Sequence, residues 1–211
     1  MLEQRLDKPQ MREQILEKTA EMFERYGVRS VTMDDIANKI AISKKTIYQH
    51  FKDKKEIVKE SVRFMMDKDH CKILFCQKEA KDEIHELVMI SQMFREQVKN
   101  MNPSLLFDLK KYHSEGWNVY LEMKEKCYNA SIKESLERGK KSGLFRKEID
   151  ADVIARVRMV QVESGFDPDI FPSNEYDITE VQMQLFHHFL YGIVTKEGLE
   201  LFEKYTQELD S

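Results

Sequence analysis

From Pro9 to Gly27, the positions Met11, Ile15, Thr19, Met22, Phe23 and Tyr26 fall on one stripe at helical spacing, and Gly27 stands where a helix ends in a C′ residue. A short helix follows. Thr32 can cap it with Asp35 at the N3 position, Val31 and Ile36 are placed as a hydrophobic staple, and it runs to about Ile40. Ser43 caps a third helix, from Lys44 to about Phe51, on which Ile47 and Phe51 face one way, toward Ile36, Ile40 and Ile57. Asp53 caps a fourth, with Glu56 at its N3 position. The rest of the chain predicts long amphipathic helices over 54–77, 81–100, 103–112, 115–138, 150–165, 179–194 and 196–209. Their boundaries are signalled by Asn102-Pro103 as N-cap and N1, by Thr179 with Gln182 as a capping box stapled by Ile178 and Met183, and by Thr195 as the last cap. Alternating β-branched runs are missing, so the fold class is all-α.

Three short, tightly connected helices have little room for a core of their own and need the first helix over them. That is the helix-turn-helix plan, expected as a domain over residues 1–53 (three helices plus the linking helix) ahead of a larger helical bundle over 54–211. Charge sharpens the picture. The chain carries net −4, yet residues 37–59 hold seven lysines against Asp53 and Glu56, net +5, while residues 61–211 hold 21 basic and 27 acidic side chains, net −6. A basic patch on an acidic protein calls for a polyanion at that patch.

The patch centres on "SKKTIYQHF", Ser43–Phe51. Opposite Ile47 and Phe51 lie Lys44, Lys45, Tyr48 and Gln49, flanked by Thr46 and His50. Lysines and a threonine at a helix N-terminus suit phosphate oxygens. Gln49 can offer a bidentate pair to adenine, and Tyr48 can touch a thymine methyl or a phosphate. Lys54 is placed for a flanking phosphate. Lys39, Lys52, Lys55 and Lys59, taken singly, are ordinary solvated lysines.

The stretch "VTMDDIANKIAISKKTIYQHFKDKKEIV" resembles the DNA-binding domain of TetR-type transcriptional regulators. The matching positions are Thr32, Ile36-Ala37, Ile42-Ser43, Thr46, Tyr48, Phe51 and Lys54, and the resemblance implies Thr32, Thr46, Tyr48, His50 and Lys54 at double-stranded DNA. The chain departs from the family at Ile40-Ala41, where Ala-Gly is usual. A left-handed Ala41 would cost about 1–2 kcal/mol, unless the turn is remodelled. Lys45 stands where a small residue or proline is frequent, so it adds a phosphate contact or points to solvent.

More weakly, "SGLFRKEIDADVIARVR" and "LYGIVTKEGLELFEKY" resemble the family's segments flanking two dimer helices. The resemblance implies a homodimer formed by 150–165 and 179–194, through an exposed set of Ala155, Met159, Val162, Leu185, Phe186, Phe189 and Leu190. Dimerisation also follows from reach, because one recognition helix reads too few bases. The resemblance further implies an unknown small-molecule effector held in the second domain. Soft bulk at Met65, Met66, Met89, Met93, Phe107, Trp117, Tyr120, Met123 and Met159 suits a lipophilic or aromatic one, with Glu115 and Glu163 as candidate polar anchors. "GFDPDIFPSNEYD", 165–177, is an acidic, proline-containing loop and a candidate lid.

Other chemistry is not indicated. His70, Cys71, Cys76 and His85 match no zinc spacing, and the adjacent His187-His188 diverge on a helix, so no metal and no cofactor are expected. Neither a glycine-rich phosphate loop nor a nucleophile elbow occurs, so an enzyme is not expected. No run reaches the roughly 18 apolar residues of a membrane helix. The start "MLEQRLDKPQM" lacks a secretory pattern, and Cys71, Cys76 and Cys127 form no paired framework, which together place the protein in the cytoplasm. The leading expectation is a ligand-responsive homodimeric repressor. The alternatives are a DNA-scaffolded partner-binding protein without an inducer, and a helical enzyme or carrier whose basic patch is incidental.

Overall fold

Capping side chains set where the amino-terminal helices begin. The computed structural model describes residues 8–209; the expectation for the start of the chain falls largely on residues 1–7, outside them. Helix α1 (Lys8–Tyr26) closes at Gly27, φ +77°, whose N–H donates to Phe23 O at 2.9 Å. Helix α2 (Met33–Ile40) starts with a reciprocal box: Thr32 N–H donates to Asp35 Oδ2 at 2.8 Å, and Asp35 N–H donates to Thr32 Oγ1 at 3.2 Å. Ala41 follows at φ 59°, ψ 40°, so the turn keeps its left-handed residue despite lacking glycine. Ser43 Oγ accepts from Thr46 N at 3.0 Å to start α3 (Lys44–Tyr48), and Asp53 Oδ1 accepts from Glu56 N at 2.9 Å to start α4 (Lys54–Glu79).

The remaining helices are α5 (Glu83–Lys99), α6 (Leu105–Tyr112), α7 (Ser114–Met123), α8 (Ala130–Ser142), α9 (Ala151–Ser164), α10 (Ile178–Ile193) and α11 (Lys196–Leu209). A π-helical turn, Lys124–Asn129, joins α7 to α8. No strand forms among the described residues beyond an isolated bridge, Phe145 to Val194, which ties the α8–α9 loop to the end of α10.

Two apolar cores organise these helices. The first buries Ile15, Phe23, Ile36, Ile47, Phe51 and Ile57, and continues without a break through Val58, Val62 and Met65 into Leu109, Val119 and Met123. Helix α3 is therefore seated on α1 and on the first half of α4, and α7 packs along α4. The second core joins α5, α8, α9, α10 and α11 through Ile84, Leu136, Phe145, Phe186, Leu190 and Phe202.

Several boundaries differ from the sequence expectation. The helix expected over 115–138 is divided by the π turn, whose wider i→i+5 bonding changes the register between Tyr120, on the first core, and Tyr128. Helix α3 stops at Tyr48, leaving Gln49 and His50 in the following turn; Phe51 still plugs the core at 1% exposure. Asn102 does not cap α6 directly: its Oδ1 accepts from Ser104 N and Oγ, and the helix starts after that turn. Asp177, not Thr179, caps α10, accepting from Glu180 N at 3.0 Å, because a carboxylate reaches the first-turn N–H two residues earlier. Thr195 caps α11 as expected, accepting from Gly198 N at 3.2 Å.

Candidate DNA interface and candidate effector cavity

On the outer face of α3 and its flanks, Lys45, Tyr48 and Gln49 are exposed and make no side-chain hydrogen bond among the described residues. Tyr48 is 49% exposed although it is aromatic, which leaves its ring available to an outside partner. Four of the other expected contact residues, Lys44, Thr46, Thr32 and Lys54, have internal partners. Lys44 Nζ pairs with Asp34 Oδ2 at 3.0 Å, Thr46 Oγ1 lies 2.9 Å from Ser43 Oγ, and Thr32 Oγ1 donates to Asp35 Oδ2 at 2.6 Å. Lys54 is half-buried and donates to Val28 O at 2.9 Å; burial lowers the pKa of its amine. His50 is half-buried beside Lys8 and Arg12, and its pKa is lowered first by burial and then by those two cations. Lys45, Tyr48 and Gln49, without side-chain hydrogen bonds among the described residues, thus lie along α3 and its C-cap, one turn apart.

Deeper in the molecule lies a cavity of about 190 Å³ bounded by α4, α5, α8, α9 and α10. Its wall is largely apolar: Ile73, Ile90, Phe94, Leu136, Phe145 and Phe186 contribute, together with Met93 and Met159. Of the nine residues expected at an effector, only Met93 and Met159 line it, and Met66 and Met123 lie in the first core. Met65 and Tyr120 belong to the first core, and Met89 is half-buried off the wall. Phe107 and Trp117 line a separate, more open cleft of about 630 Å³ with Lys110, Lys111 and Glu163. There the indole of Trp117 stacks on Tyr120 with centroids 4.9 Å apart, and Glu163 Oε1 accepts from Tyr120 Oη and Lys124 Nζ, each at 2.8 Å. The 165–177 loop borders this second cleft through Phe166, Asp167 and Asp169, and contributes nothing to the wall of the first cavity.

The wall of the first cavity also holds Arg158, Glu86, Ser135 and Gln77, none of them anticipated from sequence. A signal existed for Arg158: it stands between Ala155 and Met159 in "VIARVRMVQV", on the side of the helix that turns inward.

The expected exposed dimer set is corrected by burial. Ala155, Met159, Phe186, Phe189 and Leu190 are each at most 7% exposed within one chain, and Val162 and Leu185 are half-buried. The apolar side chains that do face outward are Val153, Val157 and Val160 on α9, at 53%, 46% and 58% exposure, and Tyr191 on α10. Both stripes on α9 have helical spacing, so spacing alone does not say which face packs inward.

Residues 15–61 match the family described as bacterial regulatory proteins, tetR family. Over that segment the chain is of the TetR type. The transcriptional repressor KstR2 of Mycobacterium tuberculosis is similar: 24% identical over 148 residues, covering 69% of this chain and 74% of that protein. A TetR-family regulator from Agrobacterium tumefaciens shares the fold at TM-score 0.73 with 16% identity, over 89% of this chain and all of that one. The fatty acid degradation regulator FadR of Bacillus halodurans does so at TM-score 0.67 with 20% identity, over 85% and 94%. Regulators of this type are not enzymes. No described helix is long and apolar enough to cross a membrane.

Proposed function

We propose that this TetR-type regulator is a cytoplasmic homodimeric repressor that leaves a pseudo-palindromic operator when a small lipophilic effector enters the 190 Å³ cavity. One observation carries the reading. Helix α4 supplies Ile57, Val58 and Val62 to the core beneath the recognition helix and, further along, Asp69, Ile73 and Gln77 to the cavity wall. A ligand that favours one setting of this helix therefore biases the placement of α3. With two copies joined through Val153, Val157 and Val160, a small tilt misspaces the two recognition helices for successive major grooves. Residues 1–53 form the DNA-binding unit and 54–211 the effector and dimer unit, with α4 as the lever.

Lys45, Tyr48 and Gln49 make the contacts at the groove, with Lys44, Thr46, Thr32 and His50 along the flanking backbone. The name of KstR2 as a repressor supports the direction of control.

The test is selection of bound fragments from random duplexes, with and without cell metabolites. Ile90→Phe, which narrows the cavity, should keep duplex affinity and lose the response. A response that survives every cavity-narrowing substitution would place the effector elsewhere.

A further inference from the structure

The polar groups on the cavity wall are unequally satisfied. Glu86, 2% exposed, is ion-paired with Arg138 Nη2. Asp69 accepts from Lys72 Nζ at 3.0 Å and from Gln97 Nε2 at 2.8 Å. The wall's two carboxylates thus already have counter-charges or donors. Arg158 does not. It is 9% exposed, its Nη1 has no hydrogen-bond partner, and it forms no ion pair among the described residues. Its guanidinium lies over the rings of Phe186 and Phe189, with Cζ 5.8 and 5.4 Å from their centroids. Ser135 Oγ and Gln77 Nε2, on the same wall, are also unpartnered, and both can donate.

A buried guanidinium without a partner is costly, and such groups are ordinarily paired. Burial lowers its pKa to about 10, so it stays a cation near neutral pH. A cationic ligand would find no free counter-charge here, and a neutral one would leave the guanidinium unpaired. An anion satisfies it, and guanidinium can hold a carboxylate with two parallel hydrogen bonds. Most of the remaining wall is apolar and suits a hydrocarbon body. At about 190 Å³ there is room for one, since a cavity of about 150 Å³ already admits benzene.

We propose that the ligand of this cavity is an amphipathic carboxylate, its headgroup paired with Arg158 and its hydrocarbon body against Ile90, Phe94, Leu136 and Phe145. The inference rests on the cavity being the effector site.

The test is isothermal titration of the full chain with octanoate, decanoate and dodecanoate, and with the alcohol and amine of each length. The acids should bind about tenfold or more tighter than the matching alcohols. Arg158→Met should erase that preference and, having removed an unpaired buried charge, melt higher than the parent without ligand. Arg158→Lys should retain the preference in reduced form. Equal binding of acid and alcohol by the parent, a preference for the amine, or an acid preference that persists in Arg158→Met would overturn the role of Arg158 while leaving the cavity as the effector site. Failure of all three classes at every length would remove the effector-site reading along with it.

Discussion

Lys54 Nζ donates a 2.9 Å hydrogen bond to the carbonyl oxygen of Val28, 26 residues earlier in the chain. The bond ties the first turn of α4 to the loop that leaves α1, across the small core holding Ile47 and Phe51. Val28 is fully buried, so truncating Lys54 strands an acceptor. Lys54→Met should lower stability by about 1–2 kcal/mol, seen as a lower urea midpoint with an unchanged m-value. An unchanged midpoint would mean that the bond contributes nothing and that the amine is held for an outside partner.

Lys44 and Asp34 form an exposed pair at 3.0 Å beside the free Lys45. If α3 meets phosphate, Asp34 works against it. Asp34→Asn should tighten duplex binding severalfold at low salt, and Lys45→Ala should weaken it and reduce the salt slope by about 0.9 for one lost phosphate contact. Fluorescence anisotropy across a salt series reads both.

Ala41 holds the left-handed conformation, φ 59°, between α2 and α3. Ala41→Gly should stabilise the protein by about 0.5–1 kcal/mol, the relieved strain exceeding the added flexibility of the unfolded chain. A lower melting temperature in the glycine variant would show that the turn carries no strain.

The Asp35 carboxyl is held below its ordinary 3.8 by hydrogen bonds from the Thr32 side chain and then its backbone. A folded-state value below the unfolded one means that this contribution is present above about pH 3.8 and fades as pH falls through the folded value. Asp35→Asn keeps an acceptor for Thr32 but cannot titrate. Its melting temperature should fall less steeply than the parent's as the pH drops below about 4. Parallel acid limbs would assign the pH dependence to other carboxylates.

Val157 stands at the centre of the outward stripe on α9, with Val153 and Val160 on either side. Val157→Glu should convert a dimer to a monomer in sedimentation while leaving the helical circular dichroism intact. Phe189→Ala, in the interior of the same helix pair, should instead cost about 3–5 kcal/mol of folding stability. A parent that sediments as a monomer at micromolar concentration would end the dimer reading.

The amino-terminal helices were legible because their signals are local. Thr32, Ser43 and Asp53 cap through atoms three residues away, and Gly27 marks an end that needs positive φ. The same locality exposed the basic, hydrogen-bonding face around Tyr48. The cavity was not legible in this way. Arg158, Glu86, Ser135 and Gln77 come from four different helices, and nothing in their spacing links them.

What the order of residues settled was therefore the all-helical class, the caps of α2, α3 and α4 and the charged edge of α3, since each depends on interactions within a turn or two. Which of two apolar stripes on α9 turned inward, where Tyr128 points after the π turn, and which cation was left unpaired against Phe186 and Phe189 depended on packing between helices far apart in the chain. Burial is a competition among all available faces, and a single helix carries no record of which face wins.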